Sequence, residues 1–268
     1  MLYTELTSPE LGRTAPGAIA VLPLAAVEQH GDHLPVVTDT AIATEFARLA
    51  EAAMPEQIVL LPTLWVGSSH HHLGFPGTLS ISSETYVRVV RDLVECLIAT
   101  GFRRIFLLNG HGGNQTPFAE ALFRLGQDRQ DLWVVAQSYW KLAAKEMAAA
   151  NFMQTPALSH ACEYETSLML ALREDWVKMN LAKGNGPSLG SAFYDRQNYE
   201  PSRVVVSETF KQMTPNGAMG SPELGTAVKG RKLFETISPV IIEFLREFST
   251  WPLPNRIKEN SSPKASTP

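Results

Sequence analysis

The sequence predicts an α/β fold, a three-layer α/β/α sandwich around a mostly parallel central sheet, and three observations carry that prediction. Short, almost wholly apolar runs recur at 18–26, 58–65, 105–108 and 132–136, the pattern of strands buried on both faces. Stretches with helical spacing lie between them, and such alternation builds a parallel sheet covered by helices. Of the 268 residues, 44% are hydrophobic and 19% charged, which supplies a full core and excludes a disordered polyelectrolyte.

Each element follows from local signals. After the strand at 18–26, a Thr-Asp start signal opens a helix over 40–54. The second strand, 58–65, is followed by a helix over 83–100 that opens with Ser-Ser-Glu and stops at Gly101. The third strand, 105–108, leads to a helix over 116–126, begun by Thr-Pro and ended by Gly126. Beyond the strand at 132–136, a helix is expected over 164–172 and a long C-terminal helix over 222–248, kinked or interrupted at Pro239. Residues 184–201 read as a loop or flap. The absence of repeats and linkers predicts a single domain over 1–251, with 252–268 a disordered polar tail.

Charge and cysteine content narrow the function. The net charge is −4 with basic residues scattered, so no nucleic-acid surface is expected. No apolar run reaches the ~18 to 20 residues of a membrane span, and the N-terminus lacks a secretion signal. Two cysteines, Cys96 and Cys162, cannot frame a disulfide scaffold. A soluble cytoplasmic protein is expected.

All seven histidines fall in four short segments: His30 and His33; His70, His71 and His72; His111; and His160. Structural histidines scatter, whereas histidines gathered in loops suggest ligands or proton-transfer groups. Three of these segments follow apolar runs, where ligands collect in open α/β sheets. Glu28 and His30 stand two apart and share a face in extended backbone. With Asp39 at a helix start and His111 between glycines, they could hold a divalent cation. The bland reading of Glu28–His30 alone is a surface ion pair, and no HExxH or CxxC spacing is present.

The fourth segment leads from His160 through Glu163 and Glu165 into an apolar helix. Acidic residues at a helix start also simply complement its dipole. At most two of His70, His71 and His72 can face one site. Cys162 would be a nucleophile only beside a base, and a buried inert thiol is the commoner case.

Taken in order, EQHGDHLPVVTDT, GFPGTLSIS, NGHGGN, HACEYETSLML and NGAMGSPELGTAVKG closely resemble the creatininase (creatinine amidohydrolase) family, from about Val21 to Phe248. The resemblance implies a three-layer fold, a homohexamer, and two divalent ions per chain, zinc, manganese or iron. It assigns Glu28 and His111 to one ion, His30 to the other, and Asp39 to both. It makes His160 the catalytic histidine, with Glu165 the more family-like of the two glutamates, and Ser69 a substrate contact.

Creatininases proper follow the third-strand histidine with Tyr-Glu, that Glu being a ligand of the second ion; here the positions are Gly112 and Gly113. The second ion then needs Glu163 or Glu165, and the backbone amides of Gly112 and Gly113 could stabilise an oxyanion. A Trp-Asp pair that closes over creatinine is replaced by Pro156 and Ala157, so creatinine is not the expected substrate. Relatives of the Gly-Gly form include deformylases and a peptidase acting on a modified peptide. The expected activity is hydrolysis of a C–N bond in a small cyclic or formyl amide by metal-activated water, with His160 shuttling the proton. His33 and His70–72 are placed around the pocket. A phosphoesterase is disfavoured because no Arg or Lys lies in the histidine segments, and a non-catalytic metal-binding homologue is the alternative from another class.

Overall fold

A computed structural model describes residues 1–128, 131–184, 186, 189–197 and 202–254. Much of the expected flap, and all of the expected disordered tail beyond residue 254, lies outside the described residues. Among those described, four strands form one parallel sheet in the order β2-β1-β3-β4: β1 (Ile19–Leu24), β2 (Ile58–Leu60), β3 (Arg104–Asn109) and β4 (Trp133–Ser138).

Residues of alternate parity in these strands face opposite layers. Ile19, Val21, Phe106 and Leu108 pack on one face against α2 (Thr38–Ala53), α7 (Glu163–Arg173) and α9 (Ala227–Thr250). Ala20, Leu22, Ile105 and Leu107 pack on the other against α3 (Ser83–Thr100) and α4 (Gln115–Asp128). The expected three-layer α/β/α arrangement is therefore present. A short α1 (Ser8–Thr14) precedes the sheet, and α5 (Tyr139–Leu142), α6 (Ala144–Ala150) and α8 (Phe210–Met213) are short helices without a clear sequence signal. No described helix is long and apolar enough to cross a membrane.

Two expectations are corrected. The second strand ends at Leu60 rather than 65, because Pro62 has no N–H to give a ladder. The sheet's central strand has a related device: Pro23 of β1 lacks its donor on the side where β2 has already ended. The C-terminal helix starts at Ala227, after a 3-10 turn at Pro222–Leu224, and runs unbroken through Pro239. Pro239 is exposed, so the carbonyl it leaves unpaired faces water. Leu233, Ile237, Ile241, Leu245 and Phe248 bury one stripe of the helix. At ~1.5–3 kcal/mol for each such side chain, that packing outweighs the ~3 kcal/mol an interior proline costs.

This topology positions the site. β2 and β3 flank β1 on opposite sides, so the chain reverses its direction of travel across the sheet at β1/β3. Crevices open at the carboxyl ends of such strands.

Candidate active site

The exits of β1 and β3, the start of α2 and the start of α7 bring six of the predicted residues together. Glu28 Oε1 lies 3.2 Å from His111 Nδ1. Asp39 spans the cluster, with Oδ2 3.0 Å from His111 Nδ1 and Oδ1 3.0 Å from His30 Nε2. Glu165 Oε2 stands 3.9 Å from His30 Nε2. His160 closes the group, Nδ1 3.7 Å from Glu28 Oε1. All six side chains are buried.

Each imidazole is oriented by its other nitrogen. His30 Nδ1 donates to the Glu28 carbonyl (3.1 Å), leaving Nε2 toward Asp39 and Glu165. His111 Nε2 contacts Ser69 Oγ (3.0 Å) and the Ser68 carbonyl (3.3 Å), turning Nδ1 toward both carboxylates. His160 Nε2 donates to the Gln29 carbonyl (2.9 Å). Such outer contacts fix which nitrogen is offered to a ligand.

The NGHGGN segment is braced by its asparagines. Asn109 Nδ2 donates to the His111 carbonyl and Ser138, while Asn114 Nδ2 reaches the Ala25 carbonyl and Asn109. Asn114 Oδ1 also accepts from Ser68 N–H, so the loops after β1, β2 and β3 are tied together.

Burial sets the electrostatics. It would by itself lower His30, but Asp39, then Glu165 and Glu28, lift it to about 10. His111 is likewise raised, Glu28 and Asp39 overcoming its desolvation. Burial pushes His160 and His72 down, and His71 to about 4. Burial raises Glu165, against the pull of His30. Three buried carboxylates therefore face His30 Nε2 and His111 Nδ1 and favour a positive charge there, while Glu28 Oε2 and His30 Nε2 have no hydrogen-bond partner. Carboxylate and imidazole donors left so are the chemistry of a divalent-cation site. Donor atoms within 4.8 Å of one another form three groups: Glu28, Asp39 and His111; His30, His160 and Glu165; and Glu28, His72 and His160. The residues present fit metal ions.

A model of the family described as creatininase, creatinine amidohydrolase, matches residues 4–245 of this chain. The chain belongs to the creatininase family. It is 30% identical over 236 residues to the mycofactocin precursor peptide peptidase of Mycobacterium ulcerans, covering 85% of this chain and 84% of that protein. Its identity to the creatinine amidohydrolase of Pseudomonas putida is 30% over 261 residues, or 91% and 95% of the two chains. The 3-dehydro-scyllo-inosose hydrolase of Thermotoga maritima is 25% identical over 273 residues, 92% of this chain and 84% of that one. Among solved structures, one titled "Creatininase Mn" superposes with a TM-score of 0.79 at 25% identity, over 93% of this chain and 99% of that one.

Against the creatininase pattern, the structure separates the two candidate glutamates. Glu163 points away from the cluster: it pairs with Lys229 and accepts from the N–H groups of Gln154 (3.0 Å) and Thr155 (2.7 Å) and from Thr155 Oγ1 (2.7 Å). Of the two candidate ligands, Glu165 is the one brought to His30, and Glu163 is held by Lys229 and Thr155 instead. Gly113 explains why a creatininase glutamate is absent there, since a Cβ at this position would run into the Ser68 carbonyl, His111 Nε2 and His71 Cε1. Ser69, the expected substrate contact, lies beside the cluster. It is fully buried with its hydroxyl 3.0 Å from His111 Nε2.

A cavity of about 800 Å³ opens above the cluster. Gly112, Gly113, Pro156 and Ala157 line it, and His71 and His72 face it from the 3-10 turn, whereas His70 turns to the surface and bonds Ser80 (2.7 Å). His33 bonds Thr166 Oγ1 (2.8 Å) behind the site. Cys162 is buried at the start of α7, its thiol pushed up to about 12 by burial.

Sequence reasoning missed four contributors. Gln29 stands between Glu28 and His30, its amide nitrogen 2.7 Å from His72 Nδ1 and 3.2 Å from the Gly217 carbonyl. Phe210 stacks on His72 with ring centroids 3.9 Å apart. Trp140 and Lys141, after β4, line the cavity. Only Gln29 lay inside a motif that could have flagged it.

Proposed function

We propose that this creatininase-family chain hydrolyses a C–N bond of an amide, with two divalent ions held at adjoining positions. Glu28, Asp39 and His111 would hold one, and His30, Asp39 and Glu165 the other. The observation that carries this is the convergence of three buried carboxylates on His30 Nε2 and His111 Nδ1. When bound, such an ion pair lowers the pKa of a shared water and polarises the substrate carbonyl.

The chain's own residues supply the rest. With Nε2 committed to the Gln29 carbonyl, His160 offers Nδ1 to take a proton and return it to the leaving nitrogen, a role worth roughly 10²–10⁴ in rate. Gly112 and Gly113 line the cavity and open a 3-10 turn, whose first N–H groups have no helical partner and would serve as oxyanion donors. Trp140 and Leu158 wall the site from solvent. Ala161 holds a left-handed conformation (φ 50°) and donates to Glu165 Oε2 at 2.5 Å, which fixes His160 and Glu165 relative to each other.

The substrate is an amide other than creatinine, since Pro156 and Ala157 line the cavity where creatininases proper carry Trp-Asp. The cavity volume favours a second reading, a peptide substrate, because a small cyclic amide would fill little of 800 Å³. The exposed Phe193, Val204, Val205 and Val206 support a homo-oligomer, the family's hexamer, since apolar side chains exposed together favour association. A cytoplasmic location is part of this proposal. The test is to screen metal-loaded protein against formyl amides, lactams and short peptides. We expect turnover that a chelator abolishes and manganese or zinc restores; full activity in the metal-free protein would overturn the proposal.

A further inference from the structure

We propose that Lys141 makes this site selective for amides that carry a carboxylate away from the bond being cleaved. The inference rests on the amide-hydrolase function proposed above and names a substrate class for it.

Lys141 sits in the last turn of α5, immediately beyond the β4 exit. It lines the catalytic cavity, and also a second cavity of about 610 Å³ over the α4–β4 surface; Gln115 is the other residue shared by the two. Lys141 therefore stands on the divide between them. Among the described residues lining the catalytic cavity it is the only Lys or Arg, and none of the described residues pairs with its ammonium.

Among the described residues of the lining, one permanently cationic side chain can meet an anionic group. The floor carries the carboxylates of Glu28, Asp39 and Glu165, which disfavour a further anion beside them. Trp140, Met147 and Leu158 supply apolar wall, where a desolvated charge is costly. A substrate reaching the floor with its amide passes this wall, and the exposed cationic side chain of the lining is Lys141. An ammonium there gives a charge-assisted hydrogen bond to a carboxylate. A carboxylate fits better than a phosphate, which is met through several donors and by Arg forks, whereas one Lys stands here.

The test compares binding of N-acetyl-leucine and N-acetyl-leucinamide, matched amides that differ in the terminal charge, to the metal-loaded protein by calorimetry. Wild-type protein should bind the acid at least tenfold more tightly, with the preference shrinking at high salt. Lys141→Met should abolish the preference and Lys141→Arg should keep it. An equal affinity for the two probes in wild type, or a preference unchanged in Lys141→Met, would overturn the proposal. Turnover of any amide in the earlier screen separates the two claims. A hydrolase indifferent to Lys141→Met refutes the selectivity alone, while a selective protein that hydrolyses nothing refutes the activity alone.

Discussion

Position 113 bears on which glutamate joins the proposed metal site. In creatininases proper a glutamate at this place serves the second ion, but here the space is filled by the Ser68 carbonyl and the rings of His71 and His111. Glu165, from a helix on the other side of the cluster, approaches His30 instead. Restoring the family glutamate should therefore not restore a better site. Gly113→Glu is expected to lose at least 2 kcal/mol of stability through overpacking and to bind less metal than wild type, measured by thermal melts and metal analysis. A gain in metal content would contradict this assignment. Cys162 offers a second test at this scale. Buried, with its thiol raised to about 12, it should resist a thiol reagent at pH 8 until the protein unfolds, while exposed Cys96 reacts at once. Rapid modification of both would show that the start of α7 is open.

Among the elements, the proposed carboxylate and histidine ligands lie on segments whose local signals are strong. Glu28, His30 and His111 follow buried strands, and Asp39 and Glu165 occupy first turns of helices. Their approximate placement was therefore legible from periodicity and strand exits, and the family motifs pointed to the same residues. What was not legible was the direction of a side chain on a helix start. Glu163 and Glu165 carry the same acid two residues apart, and their roles are decided by Lys229, which lies 66 residues further on and reaches Glu163. That ion pair also pins the stretch from Gln154 that leads to the cavity wall and His160.

Lys229 and the backbone N–H groups hold the Glu163 carboxyl below its ordinary value, against the burial that would raise it. A depressed carboxylate stabilises the fold above its unfolded pKa, ~4.3 for glutamate, and that increment is lost as pH falls through the folded value. Glu163→Gln should cost about 3 kcal/mol at pH 7, as removal of one member of a buried pair does. The deficit should shrink below about pH 4, followed by denaturant melts at both pH values. A deficit independent of pH would show that the charge of Glu163 contributes nothing.

For the whole molecule, a parallel sheet with helices on both faces was readable because buried strands and amphipathic helices leave different periodicities. The cavity was not. Its walls come from α5, α6, α8 and the 153–159 segment, short pieces whose composition resembles ordinary loops and whose meeting depends on long-range packing. Lys141 and Phe210 belong to that group, and neither has a local signal. The same division applies to function: the catalytic floor follows from motifs, while the choice of substrate lies in walls that only the fold assembles.

The central claim is that the buried carboxylates and histidines hold two ions side by side. The most direct measurement is an anomalous difference map from crystals of this chain grown with manganese. The account predicts two peaks about 3.5–4 Å apart, one among Glu28, Asp39 and His111 and the other among His30, Asp39 and Glu165, and loss of both in Asp39→Asn. A single peak, a peak at Glu163, or an empty cluster in a protein that still hydrolyses amides would contradict it.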